Sequence, residues 1–162
     1  MKNSAIYTNA LQVRQALWGL QKEVLNTLKS DFDRENGYES APTEWFHVLM
    51  GGERYSWLKE LTSLMADIDI LTELDFITDD HASIARAEIE RLITDPVAGQ
   101  EALFTRHYRE LLTSGLSLLP LHSQLKAAVQ SLPQKNISRD HAQAERKNWH
   151  DEHRHQARKK RN

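Results

Sequence analysis

The residues of this chain best suited to chemistry are its histidines and the carboxylates spaced close to them. Glu44 and His47, in PTEWFHVLM, form an E-x-x-H unit. On a helix that spacing sets a carboxylate and an imidazole on one face, and carboxylate-bridged di-iron bundles use two such units with two further glutamates. The other match, Glu152 with His155, lies near the C-terminus, and the apolar faces of the two long helical segments hold no carboxylate to complete such a centre. The competing reading of Glu44 and His47 is an ordinary pair at or near the surface. His122 shares a helical face with Leu118, Leu121, Leu125 and Val129. It reads either as a metal ligand or base in the core, or as a neutral imidazole hydrogen-bonded to nearby backbone. His81 and His107 have no visible partner in the sequence.

The C-terminal histidines His150, His153 and His155, with Asp151 and Glu152 among them, would gather a divalent metal if the segment were helical, although its cationic surroundings oppose this. The same segment ends in RHQARKKRN. Arg154, Arg158, Lys159, Lys160 and Arg161 would contact the phosphates of a nucleic acid, with Trp149 offering a stacking surface, or would meet the carboxylates of a protein partner. The charge distribution supports that second target. Residues 1–133 carry 12 Lys and Arg against 19 Asp and Glu, a charge of −7, whereas residues 134–162 carry 9 against 4, a charge of +5. A domain of one sign can attract its own tail, or that of another copy.

The other motifs that would carry chemistry are missing, which weighs against an enzyme without removing that reading. The chain contains no cysteine, which removes thiol catalysis, thiolate metal sites and disulfides. It has no glycine-rich phosphate loop, no G-x-S-x-G elbow and no H-E-x-x-H pattern. No cofactor is implied beyond the divalent metal already considered.

The elements that must position these residues are helices. Ile6, Ala10, Val13, Leu17, Leu20, Val24 and Leu28 recur at threes and fours, and a second stripe, Leu11, Trp18, Leu25 and Phe32, runs beside them at sevens. Together they cover nearly half the helix circumference, so this first helix is expected to touch at least two neighbours. Gly19, in its middle, suggests a close helix contact or a bend. Asn36-Gly37 is a turn signal, Pro42 suits the first turn of a short helix reaching Met50, and Gly51-Gly52 breaks it. Residues 53–74 carry a second long stripe through Trp57, Leu61, Leu64, Ile68 and Leu71, with Asp67 and Asp69 outside it. Asp79 or Asp80 is expected to cap a third helix that ends at Asp95-Pro96, where the next begins. That helix buries Phe104, Tyr108 and Leu111 and ends near Gly115, expected to be left-handed, and a last one runs from about Pro120 to Leu132. Trp18, Trp45, Phe46 and Trp57 are expected in the core.

These patterns predict an all-α fold: an antiparallel bundle of about four main helices plus short ones, occupying residues 1–133. Residues 134–162 form a basic, His-rich tail with Ile137 and Trp149 as its only large apolar residues, expected to be disordered or partly helical. The N-terminal stretch MKNSAIYTNALQ lacks a secretory apolar core and no run approaches a membrane span, so a cytoplasmic location without membrane association is expected.

The stretch WLKELTSLMADID, residues 57–69, resembles a W-L-x-x-L-S-x-L-I-x-x-I-D pattern found in a family of small bacterial helical proteins without an assigned activity. Thr62 stands at the serine position and Met65 at an isoleucine position. The resemblance implies a bacterial, cytosolic helical protein and assigns no functional residue. Taken together, the sequence favours a non-enzymatic protein-interaction or regulatory bundle, expected to self-associate or bind a protein partner. A metal-binding helical protein and a nucleic-acid accessory protein acting through the tail are the alternatives.

Overall fold

A computed structural model describes residues 4–162; Met1, Lys2 and Asn3, the first residues of the N-terminal stretch considered above, lie outside the described residues. Among the described residues the chain is all-helical, with seven α-helices: α1 (Ala5–Asn36), α2 (Pro42–Gly51), α3 (Lys59–Glu73), α4 (Asp79–Ile89), α5 (Leu103–Ser114), α6 (Leu118–Val129) and α7 (Arg139–Arg161). A single 3-10 turn, Ser56–Leu58, leads into α3. The end of α4 widens over Glu90–Thr94 into a π-type turn, closed by the Asp95 N–H donating to Glu90 O at 2.8 Å. The all-α bundle expected from the periodicity is the fold found, and no described helix is long and apolar enough to cross a membrane.

Helix ends follow local chemistry. Ser4 caps α1 by accepting the Tyr7 N–H, and Gly37, at φ 77°, closes it with its N–H on Asp33 O. The cap of α4 is not an aspartate. Thr78 accepts the His81 N–H while His81 Nδ1 accepts the Thr78 N–H, a reciprocal capping box in which imidazole takes the usual place of Glu or Gln. Pro96 does not begin a helix: residues 95–102 form a loop turning at Gly99 (φ 81°). Gly115 is extended rather than left-handed, at φ −134°.

The register of side-chain contacts fixes the packing directions. Asn9 meets the end of α6 at Ser131 and Gly19 faces Leu121, so α1 and α6 run antiparallel. An added Cβ at Gly19 would sit 4.0 Å from Leu121, an ordinary contact, so this glycine lies in a helix interface without being demanded by crowding. Arg14 and Trp18 reach Asp69 near the end of α3, whereas Leu25 lies by its start, so α1 and α3 are also antiparallel. The core stripe of α1 (Leu17, Leu20, Val24) packs with Leu61, Leu64 and Ile68 of α3, Ile84 and Ile89 of α4, and Phe104 and Tyr108 of α5.

The segment whose composition left disorder and partial helix open is, over Arg139–Arg161, one continuous helix packed on α3 and α4. It runs parallel to α3, since Asp67 meets Arg146 and His150, Glu73 meets His153, and Asp75 meets Lys160. Against α4 it is antiparallel, with Glu88 on Arg146 and His81 on Glu152. Only Ala142 and Trp149 are buried from this helix. Its attachment is therefore one large aromatic anchor surrounded by ion pairs, a combination that apolar periodicity does not reveal. Asp67, placed outside the apolar stripe of α3, is in fact covered, because α7 lies over that side of α3.

Candidate functional site

The residues singled out in the sequence are not gathered into one centre. Glu44 and His47 lie on α2 toward solvent; Glu44 accepts a hydrogen bond from the Tyr38 hydroxyl, and the His47 ring meets the edge of Phe46. His122 lies on α6 and shares a 2.8 Å hydrogen bond with Tyr108 of α5. Among the described residues no three His, Asp or Glu side chains are placed to hold one metal ion. The C-terminal histidines also diverge: His150 contacts Asp67, His153 contacts Glu73, and His155 faces outward.

The Tyr108–His122 pair has the geometry of a satisfied, partly buried imidazole. Burial raises the phenol pKa well above its ordinary value and lowers that of the imidazole from 6.5, with Lys126 adding to the lowering and Asp95 opposing it. The unfolded chain therefore binds this proton first as pH falls. His122's contribution to stability is present above about 6.5 and is lost as pH drops through that value toward the lower folded-state pKa. An NMR titration of the His122 ring is expected to show a midpoint below that of histidine in an unstructured peptide; a midpoint at or above it would contradict the partly desolvated, neutral assignment.

The C-terminal basic residues divide between two roles. Arg146 bridges two carboxylates, with Nε 2.6 Å from Asp67 and Nη1 2.8 Å from Glu88, whose other oxygen takes Arg91 at 3.0 Å. Lys160 pairs with Asp75 at 2.8 Å and Arg154 with Asp151 on its own helix. Arg158, Lys159 and Arg161 remain exposed. Trp149, expected as a stacking surface, is fully buried and meets the edge of His81, so it cannot stack on a base without α7 leaving the bundle.

The surface that sequence reasoning missed lies on the opposite side, where α1, α2 and α3 meet. Trp45 anchors α2 in an aromatic cluster, 5.7 Å from Phe32 and 5.5 Å from Tyr55, with the Arg54 guanidinium over the Tyr55 ring. Asp33 fixes the preceding turn by accepting from Ser40; its carboxyl is held below the usual range by Lys29 first and Ser40 second. With Trp45 turned inward, the next residue must point away. Phe46 is 58% exposed and Met50, one helical turn later, 68%. Of the four aromatics expected in the core, Trp45 and Trp57 are buried, whereas Phe46 is a correction and so is Trp18, half exposed with its indole N–H 3.4 Å from Asp69.

Met50 and Leu49 form one wall of a groove of about 360 Å³, floored by Leu25, Leu58 and Leu61 and bordered by Tyr55 and Lys59. Trp18 stands on the same face of α1, seven residues before Leu25 and outside the groove's lining. The second, seven-residue stripe of α1 is thereby explained: its Phe32 end is covered by α2, and Leu25 faces the groove. This arrangement of apolar floor, protruding apolar wall and polar border suits the docking of a protein segment. No protein-family model matches the chain, and no curated protein or solved structure matches it significantly.

Proposed function

We propose that this protein is a non-enzymatic interaction module whose helical bundle binds a protein, either a partner or a second copy, through the groove between α1, α2 and α3. The observation that carries this reading is an apolar groove with the exposed Met50 on its wall, Phe46 exposed one turn before Met50 on α2, and Trp18 exposed two turns before Leu25 on α1. Large apolar side chains exposed together cost solubility, whereas scattered single ones are ordinary. The dispersed histidines and the absence of a converged acid, base and nucleophile among the described residues supply no competing centre of comparable definition.

The test uses the full chain. Light scattering over a range of concentrations, together with affinity capture from the lysate of the source organism, is performed on the wild type and on a Phe46→Ser/Met50→Ser variant. The wild type is expected to dimerise or to retain a defined protein, and the variant to lose at least tenfold of that association while keeping its circular dichroism and melting behaviour. A monomer that retains nothing, or an association indifferent to the two substitutions, would overturn the reading.

A further inference from the structure

The electrostatics of the groove's rim identify the kind of partner it fits, an inference that rests on the interaction reading above. Lys59 borders the groove from α3. Lys22 stands on the same face of α1 as the groove residues, four positions after Trp18 and three before Leu25. Both lysines are exposed, and among the described residues neither has a carboxylate within ion-pair reach. Arg14, Lys29, Arg54, Arg86 and Arg146 are held in ion pairs, whereas these two lysines belong, with Arg106, Arg139, Lys147 and the exposed cations ending α7, to those left to solvent. Lys59 borders the apolar floor itself and Lys22 stands beside Gln21 of its lining, although residues 1–133 are acidic as a whole.

We infer that the groove receives an amphipathic helix bearing acidic residues on either side of its apolar face. The distance from Trp18 to Leu25 is two helical turns, roughly 10 Å along α1, which matches apolar anchors at i, i+3 or i+4, and i+7 of an incoming helix. Acidic flanks would meet Lys22 on one side and Lys59 on the other. A second copy docking by the same face fits less well, since an isologous contact would bring these lysines toward those of its mate. A lipid surface fits less well because Leu25, Leu58 and Leu61 lie on the floor of a concavity between helices, which a flat bilayer surface does not reach.

The experiment is selection from a displayed library of helical peptides with a randomised apolar face and flanking positions drawn from Glu, Gln and Lys, using the immobilised full chain. Enriched peptides are expected to carry Glu at the flanks, to bind in solution at least tenfold more tightly than their Lys-flanked counterparts, and to weaken at raised salt. Against a Lys22→Glu/Lys59→Glu variant the preference should reverse to Lys, an outcome that a merely structural role for the two lysines would not produce. Enrichment without a charge preference would overturn the acidic partner while leaving the groove as a docking site. Concentration-dependent dimerisation abolished by Met50→Ser, without peptide enrichment, would assign the groove to a second copy. Met50-dependent binding to anionic phospholipid vesicles without peptide enrichment would assign it to a membrane. Absence of enrichment, dimerisation and vesicle binding together would remove both this inference and the interaction reading.

Discussion

Replacement of Arg146 by alanine is expected to lower the free energy of unfolding by about 3–5 kcal/mol, the range for removing one partner of a buried ion pair. The side chains of Arg146 and Asp67 are only 12% and 13% exposed, and that of Glu88 only 2%. Without the guanidinium, two carboxylates face each other with little water to solvate them, and only Arg91 and His150 remain beside them. The damage should be concentrated in α7, because Arg146 is the residue of that helix that joins it to both α3 and α4. Urea denaturation of the full chain measures the loss, and hydrogen exchange should show Arg139–Arg161 opening ahead of the remaining helices. Removing one carboxylate as well, in Arg146→Met/Asp67→Asn, leaves Glu88 paired with Arg91 and should recover much of the stability, since the penalty arises from unpaired charge. A loss below about 1 kcal/mol for the alanine variant would show the network to be solvated, as surface pairs are.

Trp149→Ala is expected to cost a similar amount, about 3–5 kcal/mol, through the cavity it leaves. Trp149 is the only large apolar side chain α7 buries, and it is fully enclosed. Its indole N–H has no hydrogen-bond acceptor, a feature that makes the phenylalanine variant informative. An unsatisfied buried donor costs about 1–3 kcal/mol. Trp149→Phe deletes that donor along with part of the ring, so it should cost clearly less than alanine does; equal losses would mean the N–H is satisfied in solution. If both substitutions act by releasing α7, Arg146→Ala and Trp149→Ala together should cost less than their sum, because a helix can be undocked only once.

The same helix shows where the sequence was legible and where it was not. The long stripes of α1 and α3 announce themselves because each helix buries a continuous apolar face, and the turn at Asn36-Gly37 is fixed by the left-handed glycine. The seven-residue stripe through Leu11, Trp18, Leu25 and Phe32 correctly demanded contacts beyond one neighbour. It could not say that one stretch of it would stay open. For α7, burial falls on Trp149 and Ala142 alone, and its ion-pair partners lie 58 to 85 positions away in the chain. Opposite charges on the two parts of the sequence were visible, but not which carboxylate would face which base. In α2 adjacent aromatics compete for one inward position; Trp45 takes it because Phe32 and Tyr55 surround it, and this consigns Phe46 to solvent. The E-x-x-H spacing of Glu44 and His47 specified a shared helix face and nothing about the helix opposite it, which is why it implied a site the fold does not assemble from the residues named.

The absence of cysteine allows one thiol to be placed at will, and this gives the most direct test of where the protein makes its contact. Met50→Cys puts an environment-sensitive fluorophore on the wall of the groove, and Arg158→Cys puts it on the exposed basic end of α7. Each labelled full-length protein is titrated with the protein retained from the lysate or, if association is with itself, with unlabelled chain. The groove account predicts a saturable blue shift at position 50 and no change at position 158. A shift at position 158 with a silent position 50 would contradict it and transfer the binding role to the basic helix.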